Sequence, residues 1–496
     1  RDFPYFSGSR PADGNFIQKE ITMKKIITLA IAAGMFVAAA APASAVDIKV
    51  DGTYTFNHTQ RGFDAGNGTA TYTKDDRTWQ RVELGLTATV SENLSGYFQV
   101  RSDWQWGTNN WGTDPRGGRT LVNQDGFSGA SSDKNALSVQ LRQAYVDWII
   151  PNTTVKVRMG RQPIRLPGLA NGKNPAIWSK DPADGIVVSS PVTDWLSLTG
   201  FWARYDRAYT YNAGVYIDDT RRSKETDAFG IVADLKFDGF RFEPFIAYAH
   251  IGKYLPGGTV NHGDKINNSF QPAGRSAAFW AGFAATLNMF DPFVAKLGFV
   301  YGDRNYRNNL HTASQHGWLV DLKASYKLDF MTPELLLWYG SGDHYEAKSY
   351  ATHGHLPGIG GRFASSFGWG NGGHLEENEL YNNHSGAGTW GIRLGFSNLS
   401  FLEDLTHEFY LAYIGGTNDA KCAQYGKNPW RYMTSRDGVF EIDFGTQYKI
   451  YKNLTAALEV AYIIQSFKKH NNGDFALRAK DFDNAWKACI QLQYKF

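Results

Sequence analysis

Cysteine is nearly missing from this chain of 496 residues: Cys422 and Cys489 are the whole supply. That excludes a disulfide framework and leaves open one bridge between a loop and the last apolar segment. An excess of one charge is also missing. Residues 1–45 hold five of the 51 basic and three of the 48 acidic side chains, leaving 46 against 45 beyond them. Such balance lacks the basic footprint that nucleic-acid binding needs. After residue 45 no apolar run is long enough for a membrane-spanning helix. No Pro- or Ser-rich linker, charge run or composition break divides residues 46–496, so they read as one domain.

What is present starts with an export pattern. Met23-Lys24-Lys25 is a short basic start, Ile26 to Ala41 an uncharged apolar run, and Ala43-Ser44-Ala45 an A-x-A site. That order predicts a secretory signal peptide over 23–45. Residues 1–22 lack any such order and read as a segment upstream of it. At the other end Trp486, Ala488, Ile490, Leu492, Tyr494 and Phe496 alternate with Lys487, Cys489, Gln491, Gln493 and Lys495. This period of two runs to the last residue.

The same period recurs along the chain. Val82, Leu84, Leu86, Ala88 and Val90 alternate with Arg81, Glu83, Gly85, Thr87 and Thr89, and Phe440 to Ile450 alternates in the same way. The pattern predicts strands near 46–57, 77–90, 95–106, 136–150, 154–162, 185–191, 195–205, 227–237, 240–250, 276–288, 293–303, 317–329, 333–343, 387–398, 405–415, 438–450, 453–465 and 484–496. That is eighteen, with sixteen open because 185–191 is short and 136–150 alternates poorly. Short connections such as Asn152-Thr153 and Asp238-Gly239 take turns with long polar ones such as 107–135, 251–275 and 344–386. Low mean hydropathy, 15% aromatics, an even strand count and that loop asymmetry predict an all-β, antiparallel up-and-down transmembrane barrel. Its last strand would address the barrel-insertion machinery.

Aromatics gather at strand ends. Trp79, Trp104, Trp280, Trp318, Trp390 and Trp486 on the long-loop side, with Trp148, Trp195, Tyr494 and Phe496 on the short-turn side, are expected to form the two interfacial girdles. Residues of the other phase should face inward. Among them are Arg81, Glu83, Arg101, Asp103, Arg158, Lys323, Arg393, Asp443 and Glu459. So many charges cannot sit in a dry interior, so the lumen should hold water, as sixteen or eighteen strands allow. The loop 162–184 is stiffened by Pro163, Pro167, Pro175 and Pro182. It carries Arg165, Lys173, Lys180, Asp181 and Asp184 and is expected to fold inward as a charged constriction.

The stretch Val155-Lys-Val-Arg-Met-Gly-Arg-Gln-Pro163 resembles the Gly-Arg-Gln segment of many porins. With the Ala-Val-Asp-Ile-Lys-Val start after the signal, residues 23–496 look like the homotrimeric outer-membrane porins of Desulfovibrio-type sulfate reducers. The resemblance implies a trimer and passive diffusion, and supplies no catalytic residue and no cofactor. Outer-membrane lipids, lipopolysaccharide and small hydrophilic solutes are then the expected partners. His353, His355, His374, Glu376, Glu377, Glu379 and His384 cluster in 344–386 but read as solvated rather than as a metal site. Rival readings are a solute-specific channel, a barrel lipase or protease, and an adhesin. The enzyme needs a nucleophile–base set that the sequence does not assemble, and the adhesin leaves the charged inner phase unexplained.

Overall fold

A computed structural model describes residues 46–66, 70–106, 139–168, 177, 183–207, 210–212, 215–217, 225–251, 276–307, 312–345, 352–359, 363, 365–370, 375, 386–425, 432–468 and 482–496. The expected signal peptide, the segment before it, and Lys173, Lys180 and Asp181 lie outside those residues. Wherever a period-two segment was expected, the chain runs as a strand. In order these are β1 (Asp47–Gly66), β2 (Ala70–Ser91), β3 (Leu94–Gln105), β4 (Gln140–Ile149), β5 (Lys156–Gln162), β6 (Ala183–Pro191), β7 (Leu196–Arg207), the small pair β8 (Thr210–Asn212) and β9 (Val215–Ile217), β10 (Glu225–Phe237) and β11 (Phe240–Ile251). Then come β12 (Ser276–Phe290), β13 (Phe293–Arg307), β14 (Thr312–Tyr326), β15 (Thr332–Gly340), the two-residue β16 (Thr352–His353), β17 (Thr389–Leu402), β18 (Leu405–Gly416), β19 (Gly438–Tyr451), β20 (Leu454–Ser466) and β21 (Ala485–Lys495).

Leaving out β8, β9 and β16, eighteen strands pair antiparallel with their chain neighbours, and β21 returns to β1. The cylinder is therefore closed, has no free edge, and resolves the count at eighteen. The seam is set by the last residue. Gly52 and Phe496 exchange backbone hydrogen bonds at 2.8 and 3.0 Å, and the Phe496 ring lies where a Cβ on Gly52 would stand. Only glycine leaves room for the terminal ring there.

Which face each residue takes follows from the pleat. Leu84, Phe98, Val146, Phe229, Ile246, Leu322, Leu394, Ile464 and Ile490 are exposed on the outside of the closed sheet, as an apolar belt requires. Trp148, Trp195, Trp318, Trp390, Tyr494 and Phe496 are exposed in the same phase, and Trp486 follows it half-buried. Two expected girdle residues are not in the girdle. Trp79 is buried in phase with Arg81, whose guanidinium lies 5.0 Å from its ring. Trp280 is fully buried and donates its indole N–H to the Pro357 carbonyl at 2.8 Å. Trp280 stands near the start of β12 and Trp79 in the middle of β2, both on the inward phase, and parity outranks height in deciding what a strand residue meets. Of Trp104 the backbone alone is described.

Candidate functional site

The inner wall divides into two halves. Toward the short turns it is charged. One continuous row of paired residues runs Lys236, Arg241, Thr286, Lys296, Lys323, Leu336, Arg393 across β10 to β17. Five of those seven side chains are cationic. Asp234 binds Arg241 at 2.7 and 2.9 Å and Lys236 at 3.3 Å, and Glu243 takes Arg241 at 2.9 Å. Glu334 meets Lys323 at 3.0 Å and Arg393 at 3.9 Å. Lys296 and Lys323 are direct partners across adjacent strands. Among the described residues no ion pair reaches Lys296. Like charges placed opposite one another oppose strand pairing; here Glu334 offsets Lys323, and Glu243 lies within electrostatic reach of Lys296.

Toward the long loops the interior is filled by the chain itself. The loop after β5 turns inward: Ile164, Leu166 and Ile177 are buried in one apolar cluster with Ala183, Phe201 and Ala203 of the wall, and Ile164 reaches the inward side of Gly185. The described residues of this loop thus run inward, as expected, but the contacts they make there are apolar. A second inward loop was not anticipated. The 344–386 segment, read from sequence as an outer polar loop, buries Leu356, Ile359, Phe363, Phe367, Trp369 and Leu375. The spacing of those apolar residues was the signal available for it.

That second loop is fastened by wall carboxylates. Glu441 accepts the Ser366 hydroxyl at 2.7 Å and the backbone N–H groups of Gly368 and of Trp369, the latter at 3.0 Å. Asp443 accepts Phe367 N–H at 3.1 Å and Glu459 accepts Leu375 N–H at 2.9 Å. From the cationic side Lys487 Nζ donates to the Phe367 carbonyl at 2.8 Å and Arg393 to that of Ser365 at 3.1 Å. Asp443, Glu459 and Arg393 were expected to line open water. All three are inward but buried under this loop. The carboxylates are met by backbone N–H groups, with Lys487 3.6 Å from Glu459, and Arg393 by the Ser365 carbonyl and Glu334, rather than by solvent.

The remaining expected site residues separate into two groups. Arg81, Arg101 and Asp103 form a buried cluster, with Asp103 accepting Arg81 Nε at 2.6 Å and Arg101 Nε at 2.7 Å. Glu83 faces inward beside them on β2, half-buried. Arg158 and Lys323 remain partly open to the lumen. Asp184 lies on the outward phase of β6 and pairs with Arg161 at 3.2 Å, so it does not face the pore. Arg165 is exposed on the inward loop. Both thiols are free: Cys489 is buried on β21, accepting from Thr59 at 3.3 Å and donating to Asn57 at 3.1 Å, and Cys422 is buried in the 3-10 turn Ala420–Tyr425. The bridge left open by the sequence is not made.

Beyond the strands, one carboxylate bolts three segments together. Asp343 accepts Gly354 N–H at 2.9 Å, His355 Nδ1 at 2.6 Å and the Tyr432 hydroxyl at 2.8 Å, while its own N–H donates to Asn418 at 2.8 Å. Burial, then Asp343, push the Tyr432 phenol well above its ordinary range. His355, one of the seven residues of the sequence cluster, is thus engaged by Asp343. Of that cluster, His374, Glu376, Glu377, Glu379 and His384 lie outside the described residues.

No protein-family model and no curated protein sequence matches the chain. Solved structures do. Pseudomonas aeruginosa OccK9 (OpdG) superposes with a TM-score of 0.53 at 12% identity, over 91% of this chain and 98% of that one. The outer membrane protein OpdK of the same organism gives 0.52 at 10%, with the same coverage. Acinetobacter baumannii OccAB2 gives 0.50 at 11%, over 90% and 98%. The likeness is one of fold: a closed antiparallel β-barrel.

Proposed function

We propose that the chain is an outer-membrane porin, a water-filled channel through which ions and small hydrophilic solutes diffuse passively, with anions favoured. One observation carries the reading: a closed barrel, apolar outside, holds Lys236, Arg241, Lys296 and Lys323 in one row on its inner wall toward the short turns, continued by Arg393 under the second loop. A cationic track beside low-dielectric wall raises the local anion concentration and lowers the barrier to entry. The two inward loops supply the narrowing that sets the size limit. A solute-specific channel is the second reading, favoured by the long-loop half being packed rather than open.

The finer features belong to the same proposal. Export through a cleaved signal at 23–45 is supported by the basic–apolar–A-x-A order. Seating in outer-membrane lipid and lipopolysaccharide is supported by the belt and its exposed rings. A homotrimer of the sulfate-reducer type is supported by the sequence resemblance, and crosslinking in mild detergent tests it: exclusively monomeric product counts against it. For transport, the reversal potential in a potassium chloride gradient across a planar bilayer decides. A chloride-favouring potential is expected, and a non-conducting protein would overturn the reading.

A further inference from the structure

A second wall of the lumen has a different chemistry. On the inward phase of the described strands, most aromatic rings are hidden. Trp79, Phe201, Phe245, Trp280, Trp338 and Tyr410 are buried, and Phe63 packs against the loop core. Tyr97 on β3 and Tyr145 on β4 differ: they are direct partners across the strands, half-exposed, with ring centroids 5.5 Å apart at 39°. Arg158 of β5 extends the pair, its guanidinium 4.0 Å from the Tyr145 centroid. Asp147 locks that guanidinium flat with bonds of 2.6 and 2.7 Å and also takes Lys156 at 2.9 Å.

The surroundings are polar without net charge. Asp51 and the Tyr97 hydroxyl converge over Gly85, where a Cβ would strike both. One inward row above, Gln143 donates to Gln99 at 2.8 Å. Lys156 and Arg158 balance Asp147 and Asp51. The shelf stands on the third to fifth strands of the cylinder and Lys323 and Arg393 on the twelfth and fourteenth, about half a turn away.

We propose that Tyr97, Tyr145 and Arg158 form a stacking shelf that binds neutral, hydroxyl-rich ring solutes, in effect sugar rings, inside the channel. Flat apolar faces cover one side of such a ring, while planar carboxylate, amide and guanidinium groups bond its hydroxyls in pairs. Local neutrality selects an uncharged ring over an anion, which the opposite wall would hold. The inference rests on the channel reading.

Planar-bilayer recording separates the two. Potassium chloride current must appear first; its absence overturns the channel and the shelf with it. Maltotriose added to a conducting wild-type channel should then reduce or interrupt the current at concentrations where sorbitol, an open-chain polyol, does not. Tyr97→Leu and Tyr145→Leu should each weaken that block roughly five- to tenfold. Tyr97→Phe and Tyr145→Phe, which keep the rings, should retain most of it. Equal action of maltotriose and sorbitol on a conducting wild type, or undiminished block in the leucine variants, overturns the shelf.

Discussion

The backbone N–H of Ile359 donates to the carbonyl of Ile177 at 2.7 Å, so loops that leave the barrel after β5 and after β15 meet inside it. Both side chains are buried in the same apolar cluster. The two inward loops therefore form a bridge, rather than one loop leaning on a wall. Ile177→Ala removes packing worth about 2–5 kcal/mol at a fully buried site. Single-channel current through that variant is expected to be larger or noisier than wild type, with the barrel's heat stability in detergent nearly unchanged. An unaltered trace would place the narrowing elsewhere.

Glu441 makes a sharper test of the second loop. Its carboxylate accepts three bonds from Ser366, Gly368 and Trp369. In Glu441→Gln one acceptor oxygen becomes a donor facing N–H groups, at a cost of about 1–3 kcal/mol per buried group left unmet. The loop should come free before the barrel does. Limited proteolysis should cut within 344–386 faster than in wild type, while the β-barrel fragment stays folded. Equal protection would show that apolar packing alone holds the loop.

Most strand positions were legible in the sequence because a barrel of this kind writes its wall in period two; 136–150, which alternates poorly, and the short 185–191 were the segments that left the count open. Parity alone would also have placed Trp79 correctly, since it shares phase with Arg81 and Glu83. Trp280 offered less: Ala278, Phe279, Ala281, Gly282 and Phe283 show no polar phase to compare with. What could not be read was which inward charges meet water. Glu441, Asp443 and Glu459 carry the same signature as Lys323 or Arg158, and only the position of a loop distant in sequence buries the first three. Alternation names a face, whereas burial on that face is set by tertiary packing.

The cationic row predicts its own reversal. Lys296 and Lys323 face each other across β13 and β14. Replacing both with glutamate keeps the strands polar on the lumen side and changes the local charge by four. The reversal potential in a salt gradient should move from chloride-favouring toward potassium-favouring, most clearly at low ionic strength where screening is weak. Mutations of equal charge on the outward phase, at Arg161 for example, should leave it in place. A potential indifferent to the Lys296 and Lys323 exchange would remove this row from the conduction path.

At the seam, Gly52 and Phe496 exchange two backbone bonds while the terminal ring covers the glycine. Gly52→Leu would drive a side chain into that ring and force apart the pairing that closes β1 on β21. Closure of a barrel is cooperative, since an open seam exposes two rows of unpaired backbone groups to lipid. The variant should show a lower temperature for the shift from folded to unfolded migration on detergent gels. Gly52→Leu combined with Phe496→Ala should recover part of the loss. An unchanged transition in the single variant would show that the ring swings aside at no cost.

Tyr432 predicts a dependence on alkaline pH. Its phenol donates to Asp343 and is held neutral by burial and by that carboxylate. The folded-state pKa lies above the free value of about 10, so the bolt contributes its full stability below that pH. The contribution declines as pH rises past 10 toward the folded pKa, because the unfolded loop then releases the proton more readily than the folded one. Protease resistance of the 341–359 and 417–437 segments should therefore fall above pH 10 in wild type. Tyr432→Phe removes the bond, lowers resistance at neutral pH by about 1–3 kcal/mol-equivalent in opening equilibrium, and should flatten the alkaline decline. A decline of the same size in the phenylalanine variant would assign it to another group.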